Sequence, residues 1–134
     1  CEILVAEDIA LNQDVVRYML DGSPYNPTIV DNGELAVKAY IADPARFACV
    51  LMDLSMPVMD GLEATKQIQA YQTQKGLPHI PIIALTGHAL KGDREKALAN
   101  GLDDYITKPV NQDDLIAILE KWVNYKSRLN TSAA

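Results

Sequence analysis

Nothing in the sequence approaches the roughly 18 consecutive apolar residues of a membrane span, and no charged-then-apolar leader precedes its first apolar run. Both absences point to a soluble domain inside the cell, in the cytoplasm. Cysteine is scarce: Cys1 and Cys49 have no metal-binding or redox spacing, and Cys49 sits within an apolar run. Two free thiols in a reducing compartment are expected. An excess of positive charge is missing too, because 12 basic residues face 18 acidic ones and leave a formal charge of −6. That balance repels phosphate backbones and argues against direct contact with DNA or RNA. There is no internal repeat, no low-complexity tract and no initiator Met, and the first residues lie almost inside a strand. The chain therefore reads as a piece of a longer polypeptide. What is present is 134 residues, 49% of them hydrophobic. That length suits one core, burying about two-thirds of the surface of the unfolded chain.

The chain is organised around residues 48–61, Ala-Cys-Val-Leu-Met-Asp-Leu-Ser-Met-Pro-Val-Met-Asp-Gly, where an apolar run stops on the carboxylate of Asp53. The run is of strand length, too short for a helix, and a Pro/Gly-punctuated loop closes it. It reads as a strand of a parallel sheet buried on both faces, delivering Asp53 to the sheet's carboxyl edge. Ligands of open α/β sheets bind at that edge, where the strand order reverses.

In chain order, residues 3–6 form a first strand followed at once by Glu7 and Asp8, then a helix with Leu11, Val15 and Met19 about one turn apart. Asp21-Gly22-Ser23-Pro24 stops that helix. A second strand over residues 28–30 follows Pro27, which favours a sheet edge. A second helix over 34–42 ends at Asp43-Pro44, and the strand through Asp53 comes next. Asp60 and Glu63 make a capping-box-like start to a third helix, which runs to about residue 72. The polar stretch 74–81 is a surface connection in which His79 faces solvent. A fourth strand spans 82–85, closed by Thr86-Gly87; a fourth helix spans 94–99; a fifth strand spans 105–107 and ends on Lys108-Pro109. Asn111 caps a last helix whose Leu115, Ile118, Leu119, Trp122 and Val123 share one face. Five alternating strands and helices predict a doubly wound α/β fold with a five-stranded parallel sheet in the order 2-1-3-4-5.

The residues closing the strands carry the chemistry. Glu7 and Asp8 end the first, Asp53 the third, Thr86 the fourth and Lys108 the fifth. Three carboxylates at one edge repel one another unless a cation sits among them. An all-oxygen site with few protein ligands suits Mg²⁺ better than zinc, which would want His or Cys. A carboxylate beside Mg²⁺, an ammonium and a hydroxyl is equipped to accept a phosphoryl group, with Asp53 as nucleophile. Each residue alone also fits a plainer role: a strand-terminal Asp as a cap or turn residue, Glu-Asp as loop chemistry, Thr86 as a cap, Lys108 as a surface cation. It is their occurrence together on consecutive strand ends that argues for a site. The spacing of Met52, Met56 and Met59 fits packing better than ligation.

Four segments resemble the receiver domains of two-component response regulators: Val-Ala-Glu-Asp at 5–8, Met-Asp-Leu-Ser-Met-Pro-Val-Met-Asp-Gly at 52–61, Ala-Leu-Thr-Gly-His at 84–88 and Asp-Tyr-Ile-Thr-Lys-Pro at 104–109. The resemblance implies a flavodoxin-like domain over residues 1–125, with 126–134 a polar tail that frays. It implies that Asp53 is the phosphoacceptor, and that Asp8, Asp53 and the Ser55 backbone carbonyl ligate Mg²⁺ while Glu7 contacts its waters. Lys108 would pair with Asp53 or its phosphoryl group, Thr86 would be the switch hydroxyl and Tyr105 the aromatic that moves with it. Ser55 and His88 flank the path of water attacking the acyl phosphate. Asn12, residues 88–94 and residues 101–105 are similar to receivers on the C-terminal side of hybrid sensor histidine kinases. The partners implied are a histidine kinase's phosphoacceptor domain or a histidine phosphotransfer protein. Ile9 departs from the usual Asn there. With Val58, Pro109 and Val110 it could form an apolar rim on which a helical, histidine-bearing partner docks, or these are scattered surface apolars.

Three other functions fit less well. A stand-alone single-domain response regulator differs only in its parent. A haloacid-dehalogenase-like phosphatase working through an Asp-phosphate would need a second Asp where Ser55 stands. A flavodoxin-like cofactor binder would need a phosphate loop where Glu7 and Asp8 repel one. Self-phosphorylation and self-dephosphorylation are the only enzyme-like activities expected of the chain itself.

Overall fold

The computed structural model describes residues 2–54, 59, 61–86, 95, 98, 99, 101–107 and 111–133; side chains are described up to residue 123, that of Thr86 excepted. Strands β1 (Glu2–Ala6), β2 (Asn26–Val30), β3 (Phe47–Asp53), β4 (Ile82–Thr86) and β5 (Asp104–Thr107) form one sheet. Its order is β2-β1-β3-β4-β5 and every neighbouring pair is parallel. This is the topology the sequence predicts.

Alternation along the strands divides the core in two. Leu4, Ala6, Val50, Met52, Ile82 and Ala84 face one side, where helices α2 (Gly33–Ala42) and α3 (Gly61–Lys75) cover them with Ala36, Val37, Tyr40, Ala64 and Ile68. Ile3, Val5, Cys49, Leu51, Ile83 and Leu85 face the other, covered by Val16 and Leu20 of α1 (Ala10–Leu20) and by Leu115, Leu119 and Val123 of α4 (Gln112–Ala133). A sheet buried on both faces explains why its central strands read as continuous apolar runs. Met52 and Met59 pack into the first of these cores; Met56 lies outside the described residues.

Local signals set the helix ends. The Asn32 side chain accepts from the Leu35 amide at 2.9 Å to cap α2, and Asn111 Oδ1 accepts from the Asp113 amide at 2.8 Å to cap α4. Helix α3 runs to Lys75, beyond the expected end near residue 72, and stops where Gly76 takes a left-handed φ of 66°. Leu77 N–H closes that end on the Gln72 carbonyl at 2.9 Å. Pro27 is accommodated inside β2 because that strand is an edge. The last helix continues to Ala133, through the stretch expected to be a fraying tail. The predicted helix over 94–99 falls mostly outside the described residues, although Glu95, Leu98 and Ala99 are helical. Among the described residues, no helix is long and apolar enough to cross a membrane.

Candidate functional site

From β1 the chain passes outward to β2 and then returns to β3 on the other side of β1, so the strand order reverses at the carboxyl ends of β1 and β3. Ala6 stands level with Met52, which brings Glu7 and Asp8 beside Asp53. One ligand oxygen from each of these carboxylates lies within 4.8 Å of the other two. Glu7 is 1% exposed and Asp53 3%, whereas Asp8 is half-buried. These are the acids that the sequence predicts to converge.

Glu7 is held on every side. Its N–H extends the β1–β2 ladder to the Val30 carbonyl at 3.1 Å, and its own carbonyl accepts from the Gln13 side-chain Nε2 at 2.6 Å. Its Oε1 accepts from the Ile9 N–H at 3.2 Å, with Asn12 Nδ2 at 3.5 Å. The start of α1 thus sits against the acidic turn, where the positive end of the helix dipole favours negative charge.

Asp53 is positioned by close backbone packing. Gly61 opens α3 directly against the end of β3: a Cβ there would collide with the Asp53 carbonyl oxygen and lie 2.9 Å from Met52 Cγ. Only glycine permits that approach. Buried Thr65 fastens the same turn by donating to the Gly61 carbonyl at 2.7 Å.

Asp8 Oδ1 is buried and has no hydrogen-bond partner among the described residues. A buried carboxylate oxygen left unsatisfied is costly, and a cation is the partner this donor set suits. Among the described residues the cluster is three carboxylates with no imidazole or thiolate, a hard, all-oxygen set that fits a divalent ion such as Mg²⁺.

Of the other expected site residues, Thr86 ends β4 level with Thr107 of β5. Tyr105 is half-buried beside Ala84 and packs against the core under α2 and α3. Ile9 is 50% exposed just before α1. Ser55, Val58, His88, Lys108, Pro109 and Val110 lie outside the described residues. His79 is exposed as expected, but its Nε2 meets Asp103 Oδ1 at 2.7 Å, far from the acidic cluster. That hydrogen bond raises the His79 pKa, burial pulls part of it back, and the charge of Asp103 adds to the rise.

The chain matches the model of the response regulator receiver domain over residues 3–120. It is 41% identical over 121 residues to hybrid signal transduction histidine kinase I of Dictyostelium discoideum, covering 88% of this chain and 7% of that one. For three curated relatives the chain spans 7%, 17% and 14% of their length. Its fold is similar to the receiver domain of sensor histidine kinase PA1611 from Pseudomonas aeruginosa PAO1, crystallised with a magnesium ion in its active-site cleft. The two share a TM-score of 0.79 and 41% identity, over 92% of this chain and 97% of that one. It also resembles a Saccharomyces cerevisiae receiver domain, that of Ssk1, solved with the histidine phosphotransfer protein Ypd1. There the TM-score is 0.82 and the identity 33%, over 90% of this chain and 87% of that one.

Proposed function

The chain belongs to the response regulator receiver domains, the receiving modules of two-component phosphorelays, and from that footing we propose that Asp53 accepts a phosphoryl group from a phosphohistidine. A carboxylate oxygen of Asp53 attacks phosphorus; the O–P bond forms as the N–P bond breaks, and the leaving imidazole nitrogen takes the electron pair. Asp8, Asp53 and the Ser55 carbonyl would hold Mg²⁺, with Glu7 contributing to the same site. When bound, the ion neutralises charge on the phosphoryl oxygens. Lys108 balances the remaining charge and Thr86 donates a hydrogen bond. Thr86 and Tyr105 then shift together between two arrangements, and Ser55 and His88 tune how fast water removes the group.

The observation that carries this reading is the convergence of Glu7, Asp8 and a nearly buried Asp53 at the reversal of strand order. The parent is a hybrid sensor histidine kinase whose receiver works in the cytoplasm, and the donor is a kinase phosphoacceptor domain or a histidine phosphotransfer protein. Such a partner docks beside the site on Ile9, Val58, Pro109 and Val110. Ile9 leads into α1, where Leu11, Val15 and Tyr18 are exposed at one-turn spacing. Changing Ile9 and Val110 to Asp should slow transfer from the partner but leave acetyl phosphate reactivity intact.

The test is intact-mass measurement after incubation with Mg²⁺ and acetyl phosphate. One phosphoryl adduct is expected on the wild type, none in Asp53→Asn and none when the metal is chelated. An adduct that survives Asp53→Asn would overturn the assignment.

A further inference from the structure

We infer that Gln13 is a positioning residue for the metal site, acting through Glu7 and anchored by Asp31. Its carboxamide nitrogen donates to the Glu7 carbonyl at 2.6 Å and to Asp31 Oδ1 at 2.9 Å. Two donors of one NH₂ group thus bridge the end of β1 to the turn after β2. With its own N–H on Val30, Glu7 has the peptides on both its sides tied down, which limits rotation that could relieve crowding with Asp8 and Asp53. Its carboxylate is restrained as well by the Ile9 N–H. Neither Gln13 nor Asp31 belongs to the acidic triad, and Asp31 is exposed. The clamp therefore acts on geometry, the usual part of groups that orient ligands from behind.

The inference rests on the reading that the triad binds a cation. It is tested by titrating MgCl₂ into the ¹⁵N-labelled chain and following the Glu7 and Ile9 amides by NMR, with thermal unfolding as the folding control. Gln13→Met keeps length and removes both donors without adding charge; Mg²⁺ affinity should fall about tenfold. The Ile9 amide should shift even without metal, because its acceptor on Glu7 moves. Asp31→Ala should weaken binding less, and Asp31→Asn, which keeps an acceptor, should recover part of that loss. The two Asp31 variants carry the test if Gln13→Met does not fold. A Gln13→Met affinity within twofold of wild type, or equal affinities for Asp31→Ala and Asp31→Asn, would overturn the clamp. A wild type that responds no more than Asp8→Asn would instead remove the metal reading, and this inference with it.

Discussion

The two edges of the sheet treat their acids in opposite ways. At the amino edge Glu2, Asp103 and Asp104 each meet a basic group: Glu2 pairs with Arg46, which also reaches Thr28 at 3.3 Å. Asp103 takes His79 at 2.7 Å and the Ile82 N–H at 2.8 Å, and Asp104 takes the Trp122 indole at 2.9 Å with Lys121 at 3.4 Å. At the carboxyl edge Glu7, Asp8 and Asp53 crowd together; Glu7 Oε1 takes the Ile9 N–H, while Asp8 Oδ1 has no hydrogen-bond partner among the described residues. Acids of the first kind hold the fold together. Those of the second kind cost stability unless a cation offsets their repulsion.

The comparison can be broken by substitution, and the largest effect should come where packing rather than charge is at stake. Gly61→Ala drives a methyl into the Asp53 backbone and Met52; urea unfolding should show a loss of about 3 kcal/mol, the upper end for overpacking. Asp103→Ala at the amino edge strands the Ile82 N–H and should lose about 2 kcal/mol in the same assay. Asp53→Asn at the carboxyl edge should do the reverse without Mg²⁺, gaining about 1 kcal/mol because repulsion is relieved. Equal signs for these two substitutions would erase the distinction between the edges.

The smallest effect is the pH dependence of the His79–Asp103 pair. Folding raises the His79 pKa above its ordinary 6.5, so the native state favours the protonated ring. Its contribution is complete below the unfolded value and fades as pH rises through the folded one. The side chain is 42% exposed, and solvent screening leaves a few tenths of a kcal/mol. Wild-type stability should decline by that amount across this window relative to His79→Gln. A flat difference would mean that the pair holds no charge.

Much of this was legible in the sequence because it rests on short-range patterns. Apolar runs ending on Glu7-Asp8, Asp53 and Thr86 gave the strands, and the proline before Thr28 placed β2 at an edge. Asn111 announced its helix. What escaped depends on register between distant segments. Gln13 meets Asp31 only because Val30 lies beside Ala6, and His79 meets Asp103 only because the connection after α3 packs against the start of β5. No periodicity in either segment foretells such a contact. Helix α3 outruns its expected end because Thr73, Gln74 and Lys75 are polar yet compatible with a helix, and the stop is the backbone of Gly76.

The proposed gathering of the carboxyl-edge acids around a cation is tested most directly by urea unfolding of wild type and Asp8→Asn across a Mg²⁺ titration. Wild-type stability should climb by about 1.4 kcal/mol for each tenfold rise in Mg²⁺ above its dissociation constant, while Asp8→Asn stays flat. Parallel curves for the two proteins, whether both rise or both stay flat, would contradict it.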